Sequence, residues 1–343
     1  MPKRQKNLVN KLFPEVKIKM TNLEQRPVRT HSPIDQRKLR YNKKKRRNKS
    51  LKFLPPFKKE AICVAGRGVH NAILAKQLGA KMDDIKNGWK YKTMIVLYPY
   101  PLRKARMIKD LNIRYPKVRI YLWWIGSDVW HITKDPYTIR SQTGKTRRQK
   151  YIDCIKKLRV RHLVVSEKCR NELATVGIKA EVLTLVPDVS KIGKLPLPEK
   201  YTVAVYMPSR KTDFYQWGDI KNIARLCPDV KFIVYGNKRV IPTSGIKNIQ
   251  LRGWVKDTKK IFQDCNLLLR LLNHDGFSKS VIEAVCHDRF VISNQPYPKL
   301  CHLKSVRMIA RMINTHPTLE PDVIAYYKNE FSFDKIKTKF GVK

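Results

Sequence analysis

The sequence has no apolar run long enough to cross a membrane, no Cys-x-x-Cys pair and few acids: 27 Asp and Glu stand against 73 Lys and Arg in 343 residues. A membrane span needs about 18 or more consecutive apolar residues, and none is present. The opening Met1-Pro2-Lys3-Arg4 has no apolar stretch behind its charges, so the chain reads as neither membrane-spanning nor secreted. Its seven cysteines are odd in number, far apart and set in apolar runs such as Ile62-Cys63-Val64. That pattern fits buried thiols of a cytoplasmic protein better than a disulfide frame or a metal site. Gly-x-Ser-x-Gly and Walker sequences are also missing, which removes support for a serine hydrolase or a P-loop NTPase. With 42% hydrophobic residues, the chain still has enough apolar matter for two ordinary cores.

What is present in excess is positive charge, a net of +46. Residues 1–58 hold 19 Lys/Arg and three acids, a net of +16 with its densest point at Lys43-Lys44-Lys45-Arg46-Arg47, which leaves +30 to the rest. A folded body with that excess projects a positive field and implies an anionic partner, either DNA or an anionic membrane or envelope glycan. The protein is accordingly expected in the cytoplasm, bound to nucleic acid or peripheral to a membrane. Lys145, Arg147, Arg148 and Lys150 form a local concentration of the same bias, read either as a solvated face or as polyanion contacts.

After the arm, short apolar runs alternate with helical stretches. Glu60–Ala65, Thr93–Tyr98, Val118–Trp124 and His162–Ser166 read as strands, with helices near 71–78, 102–112 and 167–176. Such alternation indicates a parallel sheet covered on both faces. The pattern breaks at Lys191–Lys200, whose two prolines suit a linker, and resumes with Thr202–Tyr206, Val230–Tyr235, Asn266–Leu272 and Phe290–Ser293. The expected division is a basic arm over 1–58, a first α/β domain over 59–190, a linker over 191–200, a second α/β domain over 201–325 and a closing helix over 326–343. Two such domains leave a cleft at the carboxyl ends of their strands.

Within the second domain, His274-Asp275-Gly276-Phe277-Ser278-Lys279-Ser280-Val281-Ile282-Glu283-Ala284 places an acid and a glycine at a strand end and a serine before a helix. Backbone N–H groups at such a helix start can hold a diphosphate. Glu283 sits among Ile282, Ala284 and Val285, where an unpaired carboxylate is costly and needs a cation or hydroxyl partner. Gly66-Arg67-Gly68 reads either as a tight strand-to-helix turn or as a phosphate-approaching loop, although it lacks the third glycine of a dinucleotide fingerprint. Asp128, at a strand's end, reads either as a helix cap or as an acceptor-side polar group.

The spacing of Asp275 and Glu283 resembles the acid-x7-Glu motif of GT-B glycosyltransferases, particularly the family 4 group. Asp275 replaces the usual Glu, and Ser278 a Gly. Tyr121 to Val129, with Gly126-Ser127-Asp128, is similar to an acceptor-side segment of that family, with Ile125 where a His is usual. Val165-Ser166-Glu167, Tyr235-Gly236 and Phe331–Lys335 extend the resemblance over residues 60–340. It implies a retaining, metal-independent sugar transfer with no cofactor beyond a nucleotide-sugar co-substrate. Glu283 would meet the ribose, Asp275 the transferred sugar and Asp128 the acceptor side. Gly66, Gly68, Gly276, Phe277, Ser278 and Lys279 would surround the donor. Arg210 or Lys211, after the first strand of the second domain, would neutralise the diphosphate, with Arg210 favoured for its bidentate geometry. The rival expectation is a non-catalytic nucleic-acid-binding protein on a degenerate transferase scaffold.

Overall fold

The structure, a computed structural model, describes residues 62–66, 68–134, 146–237 and 241–342. The basic arm over 1–58, Lys145 and the side chain of Arg147 lie outside the described residues. The described part belongs to one compact unit, Pro56–Lys343.

Two six-stranded, all-parallel sheets organise it. The first contains β1 (Ile62–Ala65), β2 (Lys81–Asp83), β3 (Thr93–Leu97), β4 (Arg119–Trp124), β5 (Arg161–Val164) and β6 (Glu181–Val182), in the order β2-β1-β3-β4-β5-β6. The second contains β7 (Thr202–Tyr206), β8 (Lys231–Tyr235), β9 (Ile249–Gly253), β10 (Leu267–Arg270), β11 (Phe290–Ser293) and β12 (Cys301–His302), in the order β12-β11-β10-β7-β8-β9. Central strands such as Thr93-Met94-Ile95-Val96-Leu97 are buried at every position, as parallel strands covered on both faces must be. Strand order reverses between β1 and β3 in one sheet and between β7 and β10 in the other. Crevices open at such reversals, at the strands' carboxyl ends, so the loops after those four strands are the ones placed to bind a ligand.

The first sheet is flanked by α1 (Val69–Gln77), α2 (Leu102–Arg114), α3 (Ser127–Thr133), α4 (Arg147–Lys156) and α5 (Glu167–Thr175). The second is flanked by α6 (Trp217–Leu226), α7 (Lys259–Gln263), α8 (Lys279–Cys286) and α9 (Val306–Asn314), and α10 (Pro321–Glu330) and α11 (Asp334–Phe340) end the chain. In place of the single closing helix expected over 326–343 there are two, broken at Phe331-Ser332-Phe333. The second reaches the first sheet, where the Phe340 ring stands edge-on to Tyr121 at 5.1 Å and tilted to Trp123 at 6.0 Å. The seven cysteines are all free, and five of them are buried.

Between the lobes the chain makes a short 3-10 turn at Val189–Lys191 and then runs extended to β7. This segment is fastened to the second lobe by Arg289, which is 0% exposed. Its guanidinium donates to the carbonyls of Phe262 at 2.6 Å, Pro196 at 2.7 Å, Asp288 at 3.1 Å and Leu195 at 3.2 Å. His287 Nδ1 lies 2.7 Å from the Gly193 carbonyl, and Lys194 pairs with Asp288 at 2.6 Å. Arg289 uses carbonyl dipoles in place of a carboxylate, so its removal strands several buried acceptors at once. Arg289→Met is expected to lower unfolding free energy by about 2–4 kcal/mol, read by denaturant unfolding; a loss below about 0.5 kcal/mol would show that the clamp contributes nothing.

Candidate functional site at the interlobe cleft

On the first lobe, the turn after β1 is shaped by one side chain. Asn71 donates to the Ala65 carbonyl at 2.6 Å, and a Cβ at Gly66 or Gly68 would come within 3.2 or 2.9 Å of its amide. Gly66 also has φ +107, a backbone that L side chains avoid. Gly68 precedes α1 without any side-chain cap, so the first amides of that helix stay open towards the crevice.

The two lobes touch backbone to backbone on the floor of the cleft. A Cβ on Gly126 would sit 2.7 Å from the Gly276 nitrogen, and one on Gly276 would sit 2.1 Å from the Ile125 carbonyl oxygen. Asp128 holds the first partner in this contact. Its Oδ1 accepts from the N–H groups of Ile125 at 3.0 Å, Gly126 at 2.9 Å and Val129 at 3.1 Å. It is 3% exposed, and its Oδ2 is buried without a hydrogen-bond partner, so in this structure Asp128 builds the loop. Burial raises its pKa, opposed by those three amides.

The two acids of the spaced motif live in opposite surroundings. Asp275 Oδ2 receives Arg270 Nε at 3.0 Å, another Arg270 guanidinium nitrogen at 2.9 Å and the Tyr297 hydroxyl at 2.6 Å. One carboxylate oxygen is therefore saturated by a fixed cation and a phenol, leaving Oδ1 to face a ligand. Glu283 has no such saturation. Burial pushes its pKa up to about 7, against the pull of Lys279 one turn earlier on α8. Burial lowers the Lys279 pKa in turn, against the attraction of Glu283.

First-lobe residues connect the two acids to one crevice. Tyr98 has φ 52, a left-handed backbone rare outside glycine. Its hydroxyl is pushed up to about 12 by burial and by the charges of Asp128, Tyr215 and Asp275. His70, whose ring is 6.2 Å from that of Tyr98, is lowered by burial and by Lys279. Tyr98 thus feels Asp275, and its neighbour His70 feels the cation beside Glu283.

The remaining expected residues fall into place unevenly. Ser278 stands at the N-cap of α8, but its hydroxyl pairs with that of Ser280 at 2.7 Å instead of capping an amide. Phe277 packs against Tyr297 at 5.1 Å and Phe331 at 4.8 Å, and with Gly276 and Asp275 it lines one cavity. Arg210 and Lys211 are exposed on the loop after β7, where Lys211 has φ 67, while the cations next to the acids are Arg270 and Lys279. Arg148 and Lys150 are half-buried on α4. Sequence reasoning missed Arg270, Tyr297 and Tyr98; the available signal was Arg270, a lone charge closing the apolar strand Leu267-Leu268-Leu269.

Cys169, Glu172 and His274 also converge between the lobes, with potential ligand atoms within 4.8 Å of one another. Glu172 is already engaged by His274 Nε2 at 2.7 Å and Lys134 at 3.0 Å, and burial pushes the Cys169 thiol up to about 12. The chemistry is that of a hydrogen-bonded interlobe contact, joined by Lys168 to Gln295 at 2.5 Å. Beside it, a cavity of about 540 Å³ is lined by Ser166, Lys168, Thr184, Asp275 and Tyr297.

No family model matches the sequence, and no curated protein matches it significantly. Solved structures do match the architecture. Anabaena HepE in complex with UDP and glucose superposes with a TM-score of 0.63 at 11% identity, over 83% of this chain and 92% of that one. The lipopolysaccharide outer core galactosyltransferase WaaB in its apo form gives 0.58 at 12% identity, over 82% and 97%. The chain has the GT-B fold. TarM gives 0.55 at 17% identity over 74% of this chain, which spans about half, 54%, of TarM. In this GT-B chain Asp275 follows β10, at the second sheet's strand-order reversal, and Glu283 lies on the helix that comes next.

Two outcomes test the geometry. Gly276→Ala is expected to force the Ile125 carbonyl away and part the lobes, seen as a larger radius of gyration by small-angle scattering with secondary structure unchanged; an unaltered radius would deny the contact. Burial raises the folded pKa of Glu283 from the usual 4.5 to about 7. Its stabilising contribution is therefore full below 4.5 and fades as pH rises through 7. Glu283→Gln should flatten the loss of stability between pH 5 and 8 relative to the parent, measured by denaturant unfolding at both pH values.

Proposed function

We propose that the chain is a glycosyltransferase that moves a sugar from a nucleotide-sugar donor in the cleft to an acceptor on or beside a polyanion, with retention and without a metal ion. One observation carries the reading: a saturated and an unsaturated carboxylate on a single loop-to-helix segment, with first-lobe Tyr98 under the influence of Asp275 and its neighbour His70 under that of Lys279 beside Glu283. GT-B neighbours solved in complex with UDP, with UDP-glucose and with UDP beside the glycan Fondaparinux support the donor class. The +46 charge supports a polyanionic setting.

In this reading the uncapped first amides of α8, with Lys279, take the diphosphate. Glu283 accepts from the ribose hydroxyls. Asp275 Oδ1 accepts from the donor sugar while Arg270 and Tyr297 fix its direction, the positioning that makes transfer effectively unimolecular. As the glycosidic bond breaks, charge grows on the departing diphosphate, where Lys279 and the helix amides lie ready. Closing the lobes excludes water, the competing nucleophile.

Incubation with UDP-, ADP- and GDP-sugars without acceptor should release nucleoside diphosphate slowly from the parent protein. Asp275→Asn and Glu283→Ala, checked for folding by thermal melting, should each reduce that release by about 10²-fold. Failure of the parent to turn over any nucleotide sugar, or full release by the folded variants, would overturn the proposal. Because ionised Glu283 is the better acceptor for ribose hydroxyls, nucleotide affinity should rise between pH 6 and 8, and Glu283→Gln should remove that rise in calorimetric titrations.

A further inference from the structure

We infer that α2 and α4 together form a docking ridge for the phosphate backbone of duplex DNA, leading to the mouth of the cleft. This deepens the polyanion part of the function proposed above and rests on it for the meaning of the docking, although the surface itself stands on separate observations.

The two helices carry most of their charge with one sign. Residues 102–114 hold five Lys/Arg and one acid, Asp110, and residues 147–159 hold six and one acid, Asp153. Arg103, Arg106, Lys109 and Arg114 are exposed on α2, and Lys156 and Lys157 are exposed at the end of α4. Among the described residues none of these six forms an ion pair. Asp153 is engaged by Gln149 at 2.8 Å, which leaves Asp110 as the counter-charge on α2.

The helices are packed side by side, and the cations meet at their seam. Arg106 and Lys109 from α2 and Lys157 from α4 all act electrostatically on the Cys154 thiol, whose pKa is raised chiefly by burial. A reciprocal pair of hydrogen bonds fixes the register: Asn112 Nδ2 donates to the Arg159 carbonyl at 3.0 Å, and Arg159 N–H donates to Asn112 Oδ1 at 2.9 Å. The backbones that carry these cations are thereby rigid, so less ordering entropy opposes their use.

Both position and chemistry favour a nucleic acid over a bilayer. α2 starts at the carboxyl end of β3, just after Tyr98, so the ridge descends from the rim of the cleft. Tyr100 at that rim stacks on His131 at 5.3 Å and stands edge-on to Tyr151 of α4 at 5.3 Å. At 13 residues, α2 is about 20 Å long, close to six base-pair steps at about 3.4 Å each. A membrane-lying helix needs an apolar face to bury among acyl chains. The ridge offers one large exposed apolar side chain, Ile113, at 66% exposure, among charged and polar heads that are mostly cationic, while Ala105, Ile108 and Leu111 are turned into the core.

The test compares the full chain with its Arg106→Gln/Lys109→Gln/Lys157→Gln variant on a 30-base-pair duplex and on vesicles with 30% phosphatidylserine, across 50–200 mM salt. The rest of the chain's charge is common to both proteins, so the difference reports the ridge. Each lost phosphate contact removes about 0.9 from the slope of log affinity against log salt. The variant is expected to lose about 3 from that slope and at least 10-fold in duplex affinity, with less than 3-fold loss on vesicles. Unchanged duplex binding, or a loss on vesicles as large as that on DNA, would overturn the assignment. Acceptor-free turnover of nucleotide sugars is measured in parallel and should be equal in the two proteins. Its absence from both would sink the transferase proposal while leaving the duplex result to judge the ridge.

Discussion

Everything in the cleft depends on how closely two stretches of backbone approach. Gly126 and Gly276 meet with no room for a Cβ on either side, and this sets the spacing between the loops that carry Tyr98 and Asp275. The approach is possible because one face is rigid before contact: Asp128 ties three amides of the 125–129 loop to a single oxygen. A buried carboxylate spent on backbone amides is costly to desolvate, and here it fixes a surface against which the second lobe closes. Trp130 extends the same contact by packing on His274 at 5.2 Å.

The two acids show how one short segment supplies different chemistry. Asp275 is gripped by a buried guanidinium and a phenol, so its geometry persists with or without ligand. Glu283 is held by little except its neighbour Lys279, and its ionisation is costly until a ligand brings hydrogen-bond donors. A preformed acceptor and a ligand-dependent one lie eight residues apart, separated by the open end of a helix.

Much of the architecture was legible in the chain because parallel strands buried on both faces write themselves as short apolar runs. The β7 and β11 boundaries, Thr202–Tyr206 and Phe290–Ser293, follow from such runs alone. The edge strands β2, β6 and β12 were not legible: two or three residues such as Glu181-Val182 carry no period. α4 was hidden for a different reason, since charge in 147–157 masks the buried Tyr151, Ile152 and Ile155. At the site, the acid spacing was readable because both residues belong to one local segment. Arg270 and Tyr297 were not, because their meeting at Asp275 requires two separate loops to converge. What resemblance could not supply was how Asp128 and Phe277 are held, one by neighbouring amides and the other by aromatic packing.

The Arg289 clamp has a mechanical consequence. Since Gly193, Leu195 and Pro196 travel with the second sheet, they cannot serve as the pivot between lobes; Thr184 belongs to the other side through its bond to the Val165 carbonyl at 2.9 Å. The flexing stretch is confined to 185–192. The chain returns across the gap once more, at Phe331-Ser332-Phe333 between α10 and α11. Two crossings define a line, and a swing of one lobe on the other turns about that line, opening the crevice like a book whose spine is stitched at two points.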